Sequence, residues 1–269
     1  MNRLARATRA LARLVVYLAW TLMAIPPQLL ALAFRSRLAE RIPLAYHRVA
    51  CPIIGLRVEC RGAMSSERPT LFVCNHTSYL DIIALGSLIP GSFVAKQEVA
   101  GWPLFGALAK LQRSVFVERR RRRTAEHRDE IAGRLAVGDN LILFPEGTSS
   151  DGNRVLPFRS GLFAAAERRL DGAPVTVQPV SIAYRGLGGM PMPRALRPFF
   201  AWYGDMELAS HLWAMLGRGP ATVVIEFHPP VTIDRFAARK ALAAHCQAVV
   251  AHGVSAALHR APPPVGRSA

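Results

Sequence analysis

From Leu14 to Phe34 the chain carries no charged residue. A run of this length is about what a helix needs to cross a bilayer. Pro26 and Pro27 interrupt it, and proline inside a helix removes a hydrogen bond and clashes with the preceding turn. Arginines flank both ends: Arg3, Arg6, Arg9 and Arg13 before it, Arg35, Arg37, Arg41 and Arg48 after it. A spanning helix usually concentrates positive charge on one side. Positive charge on both sides suits two short helices lying in one leaflet, their arginines on anionic headgroups. Residues 1–50 are therefore expected to form a membrane-embedded helical hairpin that leaves the following domain on the cytosolic face of the inner membrane. A single span and a cleaved leader are the competing readings. The run passes directly into the basic stretch RSRLAER.

The chain has 34 basic and 18 acidic residues, a net charge of +16, and nearly all the basic residues are arginine. Such an excess points to an anionic partner: lipid, phosphorylated substrate or nucleic acid. A nucleic-acid surface would interleave aromatics with its basic run, and residues 119–134 contain none. Half the residues are hydrophobic, which excludes a disordered chain. The four cysteines form no CxxC pair, which excludes a disulfide scaffold or zinc ribbon.

From Gly55 onward short apolar runs alternate with helix-like stretches. The runs are 56–60, 70–74, 92–95, 114–117, 140–144, 175–184 and 221–227, and the helical candidates are 78–88, 102–111, 122–137 and 161–170. This alternation predicts an α/β domain over 51–260, a mixed, largely parallel sheet covered by helices. Asp234 is a plausible cap for a last helix ending near His259, and 261–269 reads as a disordered tail. His245, His252 and His259 recur every seven residues in that helix. The spacing separates them by about 10 Å per step, too far for one metal.

The hydrolase elbow GxSxG, a Walker loop, GxGxxG and HExxH are all absent from the sequence. What remains is Asn75-His76-Thr77-Ser78-Tyr79-Leu80-Asp81 directly after the run TLFVC. It places His76 in a strand-to-helix loop with Asp81 in the first helical turn. A carboxylate there fixes the imidazole tautomer and leaves the other nitrogen as a base. A second block, Phe144-Pro145-Glu146-Gly147-Thr148-Ser149, also follows a strand. Its turn can offer backbone N–H groups and a hydroxyl to an incoming oxygen. Two further blocks are Arg113–Arg119, containing Phe116, and Val177-Gln178-Pro179-Val180. Proline in that last strand suggests an edge or a strand end.

In this order and spacing the four blocks resemble the glycerolipid acyltransferase family, typified by 1-acylglycerol-3-phosphate acyltransferase. The resemblance covers roughly residues 55–185. It implies transfer of a fatty acyl chain from acyl-CoA or acyl carrier protein to a lysolipid hydroxyl, without cofactor or metal. It implies His76 as general base and Asp81 as its orienting partner. Lys96 and Arg119 would contact an anionic headgroup, and Glu146, Gly147 and Thr148 would shape the acceptor site. Asn75, Phe116, Pro145, Ser149 and Pro179 would support them. The residues agree with that chemistry: a hydroxyl attacking a thioester needs a base and oxyanion stabilisation, and no protein nucleophile. Two positions depart from the family pattern. Ser149 stands where Glu-Gly-Thr is commonly followed by Arg, and Arg113 stands where the second block commonly begins with Gly. With Arg missing at 149, a phosphate acceptor would depend on Arg119, Lys96 or Arg113. The run EGTSSDGNRVLPFRS also looks like the bacterial subgroup that acylates lyso-ornithine lipid. A catalytically idle membrane adaptor, holding anionic lipid through its arginines, is the alternative; it would be expected to carry a degraded His/Asp pair or Glu-Gly-Thr turn, and both are intact.

Overall fold

The apolar runs after Gly55 become the strands of one sheet in a computed structural model that describes residues 3–117 and 124–259. The chain opens with helices α1 (Arg3–Ala33) and α2 (Leu38–Ile54). Strands β1 (Leu56–Arg61), β2 (Thr70–Cys74) and β3 (Ser92–Lys96) follow, with helix α3 (Leu80–Gly86) between the last two. Next come α4 (Phe105–Leu111), β4 (Val115–Val117), α5 (Thr124–Ala136) and β5 (Leu141–Leu143). The short β6 (Arg169–Leu170) and β7 (Ala173–Pro174) precede the long β8 (Thr176–Leu187) and β9 (Met190–Pro191). Helix α6 (Leu208–Leu216), β10 (Ala221–Phe227) and α7 (Arg239–His259) complete the described chain. The Arg119–Arg123 run and the 261–269 tail lie outside the described residues.

The strand order is β1-β10-β8-β2-β5-β3-β4, with β9 paired to β8. Every pair along this order is parallel except β10 with β8. Parallel central strands need cover on both faces, which is why β2 and β5 read as unbroken apolar runs. Successive side chains go to opposite faces. Phe72 and Ile142 pack with Leu80, Leu85 and Ile54 on one side. Leu71, Val73 and Leu141 pack with Phe163, Cys246 and Val250 on the other.

The N-terminal hairpin is present, but its turn is not at the prolines. Helix α1 continues through Pro26 and Pro27, and the chain reverses between Ala33 and Leu38. Tertiary bonds hold the proline-containing stretch. The Trp20 Nε1–H donates to the Tyr46 carbonyl at 3.1 Å, and the Gln28 amide donates to the Ala39 and Leu111 carbonyls at 3.1 and 2.6 Å. At the other end the Arg13 guanidinium donates to the Leu216 and Arg218 carbonyls at 2.9 and 2.8 Å, fastening α1 to the end of α6. The outer side of α1 stays apolar and uncovered, with Leu11, Val15, Leu22, Met23, Leu29 and Leu30 all exposed. Helices α1 and α7 are both long and apolar enough to cross a membrane. The more buried of the two, α7, packs on β8 as a core helix.

Other local expectations shift for identifiable reasons. Pro179 sits in β8, between β10 and β2, and not on an edge. Its position is tolerated because β10 ends opposite Val180. The side of Pro179 that lacks an N–H therefore faces no ladder, and its carbonyl accepts from the His228 N–H at 3.0 Å. Residues 161–170 do not form an α-helix. A 3-10 segment ends at Glu167, and Asp171 and Gly172, both at positive φ, turn Arg169–Leu170 back against Ala173–Pro174. Asp234 caps nothing: α7 begins at Arg239, and Asp234 pairs with Arg169 at 2.8 Å.

Candidate active site

Parallel sheets gather functional groups at the carboxyl ends of their strands, and here β2, β3 and β5 deliver theirs together. His76 follows β2, Lys96 ends β3, and Glu146 follows β5. Arg113 precedes β4 and so lies at the opposite end of the sheet. Its guanidinium is bound to Asp139 at 2.8 Å and Glu40 at 3.3 Å, a structural network that takes it out of the site.

His76 Nδ1 lies 2.8 Å from Asp81 Oδ2. Asp81 is fully buried and its other contacts are donors. The Thr77 and Ser78 N–H groups donate to Oδ2 at 2.7 and 2.9 Å, and the Tyr184 hydroxyl donates to Oδ1 at 2.7 Å. Burial, then the neighbouring Asp81 charge, push the Tyr184 phenol well above its ordinary range, so it remains a donor. A carboxylate ringed by donors takes the Nδ1 proton as one more and leaves the Nε2 lone pair pointing away. The imidazole is also held by stacking on Phe144, ring centroids 4.1 Å apart, with Phe93 behind Phe144 at 6.1 Å. The His76 side chain keeps about a fifth of its surface exposed.

The second motif locks onto the first through the backbone. The His76 N–H donates to Glu146 Oε1 at 3.1 Å, and the Ser150 N–H donates to the His76 carbonyl at 2.9 Å. Glu146 is buried behind the turn. Burial pushes its carboxyl up to about 8, against the opposing pull of the His76 and Leu156 N–H groups, and the Asp81 charge adds to the rise. Gly147 has a φ of +69°, a left-handed conformation that favours glycine. Its N–H donates to the Phe144 carbonyl at 3.1 Å, so that group is spent inside the turn and does not face an incoming oxygen. Ser149 is likewise committed: its hydroxyl donates to the Trp202 carbonyl, and the Trp202 N–H donates to the Thr77 carbonyl at 2.9 Å. Thr148 remains exposed on the turn.

The supporting residues sort by place. Asn75 extends the β2–β8 ladder by one rung, its amide bonding both the N–H and the C=O of Ile182 at 2.9 and 3.0 Å. The buried Pro145 offers its carbonyl to the Arg159 N–H at 2.9 Å. Phe116 on edge strand β4 and Pro179 in β8 line no part of the site. Arg119 lies outside the described residues. Tyr184 and Trp202 join the site from distant segments, and no short motif announces them; Arg159 comes from the end of the run EGTSSDGNRVLPFRS.

His76, Gly147, Thr148 and Ser149 open onto a cavity of ≈ 1330 Å³. It runs beneath the N-terminal hairpin, with Leu14, Leu18 and Ile25 of α1 and Phe105 and Leu108 of α4 on its walls. Ligand sites usually enclose about 300–1,000 Å³, so this space can take long aliphatic chains. An imidazole base at the mouth of a large apolar cavity suits deprotonation of a hydroxyl carried on a lipid.

Residues 56–183 match the acyltransferase family model. The chain is 45% identical to a lyso-ornithine lipid O-acyltransferase of Rhizobium meliloti, over 82% of this chain and 77% of that protein. It is 46% identical to a protein of the same name from Brucella abortus, over 84% and 86%. A 1-acyl-sn-glycerol-3-phosphate acyltransferase of Neisseria gonorrhoeae is 33% identical over 81% and 83%. The fold matches the crystal structure of the 1-acyl-sn-glycerophosphate (LPA) acyltransferase PlsC from Thermotoga maritima. There the TM-score is 0.64 at 23% identity, covering 95% of this chain and all of that one. The chain thus belongs to the acyltransferase family, as an O-acyltransferase of lysolipids.

Proposed function

We propose that the protein transfers a fatty acyl chain from acyl-CoA or acyl carrier protein to the hydroxyl of lyso-ornithine lipid, forming ornithine lipid. The observation that carries the mechanism is the four-donor shell around buried Asp81, which holds His76 with Nε2 free at the cavity mouth. His76 takes the acceptor's proton as its oxygen attacks the thioester carbonyl. Asp81 stabilises the imidazolium that forms. The thiol leaves and accepts the proton, so His76 returns to its starting state. The apolar cavity holds the lipid chains.

Two features favour this acceptor over lysophosphatidate. Relatives carrying the lyso-ornithine name reach 45% and 46% identity, against 33% for the glycerol-phosphate one. Ser149 replaces an arginine suited to a phosphate and spends its hydroxyl on Trp202. The exposed apolar side of α1 lies in one leaflet of the inner membrane, with its exposed Arg3 and Arg6 on anionic lipid and the sheet in the cytosol. The test is acyl transfer by the purified protein from labelled acyl-CoA and acyl carrier protein to a panel of lysolipids. Preferred acylation of lyso-ornithine lipid, lost in His76→Ala, is expected. Preferred acylation of lysophosphatidate overturns the acceptor assignment, and a folded His76→Ala protein with wild-type turnover overturns the mechanism.

A further inference from the structure

The wall of the large cavity is nearly free of charge. Among the described residues, the permanently charged side chains that line it are Lys96, Glu98 and Arg159. All three are exposed, so they sit where the cavity meets solvent. Neither Arg159 nor Glu98 has a side-chain hydrogen bond or ion pair among the described residues.

Arg159 is placed with care. Its backbone N–H is tied to the Pro145 carbonyl. Its side chain lies across Gly147, so that a Cβ added there would come within 3.2 Å of both Cζ and Nε of Arg159. Gly147 thus combines a positive φ with a close-lying guanidinium above it. The turn next to His76 carries a cation after all. It arrives from ten residues beyond the position where the motif lacks one. Glu98 lines the same cavity from the 3-10 segment that follows β3.

We infer that Arg159 and Glu98 read the two charges of a zwitterionic acceptor headgroup, Arg159 taking the carboxylate and Glu98 the ammonium. The inference rests on the acceptor reading above and adds to it the residues that choose. A guanidinium presents a planar fork that matches a carboxylate through two N–H donors. A carboxylate lining the same cavity accepts from an ammonium and repels a second anion. The same pair therefore penalises a phosphomonoester, which brings two negative charges and no positive one.

The test pairs enzyme variants with modified acceptors. Wild type, Arg159→Ala and Glu98→Gln are assayed with lyso-ornithine lipid, with its side-chain amine acetylated, with its carboxyl methyl-esterified, and with lysophosphatidate. All are presented at equal surface concentration in one detergent. Wild type is expected to show a KM about tenfold higher for each neutralised analogue, the scale of one charge-assisted hydrogen bond. Glu98→Gln is expected to raise KM for the native acceptor by a similar factor and to lose its discrimination against the acetylated amine alone. Arg159→Ala is expected to do the same for the methyl ester alone, and Arg159→Lys to recover part of the loss. Glu98→Gln is also expected to improve use of lysophosphatidate. Wild-type discrimination retained in both folded variants overturns this inference while leaving the acceptor assignment intact. A wild type that acylates lysophosphatidate and ignores lyso-ornithine lipid overturns the acceptor assignment and this inference with it.

Discussion

Replacing Asp81 by Asn separates two contributions that the carboxylate makes together. Oδ2 accepts from the Thr77 and Ser78 N–H groups and lies against His76 Nδ1, while Oδ1 faces the Tyr184 hydroxyl. An amide fits this shell in one orientation. Its oxygen takes the Oδ2 position and still accepts the three N–H donors. Its NH₂ takes the Oδ1 position and donates to Tyr184, whose hydroxyl has lone pairs to offer. The fold and the His76 tautomer are then preserved, and the lost component is the negative charge beside the imidazolium. Two unit charges about 4 Å apart interact by about 4 kcal/mol at an effective dielectric of 20, which converts to about 10³-fold in rate. The assay is kcat for acyl transfer, with thermal melting to verify folding. Asp81→Asn is expected to melt within a few degrees of wild type and to lose about three orders of magnitude in kcat. A folded variant that keeps more than about a tenth of wild-type kcat would refute the electrostatic role of Asp81.

Three further outcomes follow from the same geometry. Tyr184→Phe strips the donor from the buried Oδ1, and should cost about 1.5–3 kcal/mol of stability by denaturant unfolding; a change under half a kcal/mol would show that Oδ1 finds another donor. The Glu146 carboxyl is raised to about 8 in the folded protein, against an unfolded value of 4.5. The native state therefore holds its proton where the unfolded state has lost it, and the stability associated with that proton falls as pH rises from the unfolded value through about 8. The Tm of Glu146→Gln relative to wild type should accordingly climb between pH 4 and pH 9, and a pH-independent difference would contradict the buried, proton-holding carboxyl. Replacing the exposed Leu22 and Met23 of α1 by Glu removes apolar surface and adds charge where lipid is expected. Flotation with anionic vesicles should show binding weakened more than tenfold, whereas unchanged flotation would place the membrane contact elsewhere.

The sequence by itself determined the elements that local chemistry controls. The unbroken apolar runs at 70–74 and 141–143 specify buried parallel strands, because no other setting covers both faces of such a strand. The His76-to-Asp81 spacing specifies the dyad, because a strand end and the first helical turn bring those positions together whatever the rest of the fold does. An apolar, uncharged run in the lead-in specifies a helix long and apolar enough to cross a membrane. What tertiary structure alone decided are the relations between distant segments. The prolines of α1 do not break it, because Gln28 and Trp20 anchor the helix to α2 and the α4 end. Pro179 is central because β10 stops beside it. Arg113 looks like a headgroup cation in the motif, yet the polarity of a parallel strand puts it at the far end of the sheet on Asp139. Tyr184 completes the Asp81 shell across 103 residues of chain. Arg159 supplies a cation that the motif lacks at position 149, because the loop after Ser149 folds back over Gly147. Hydrogen bonds and charges act over a few ångströms of space, and only the folded chain says which residues share those ångströms.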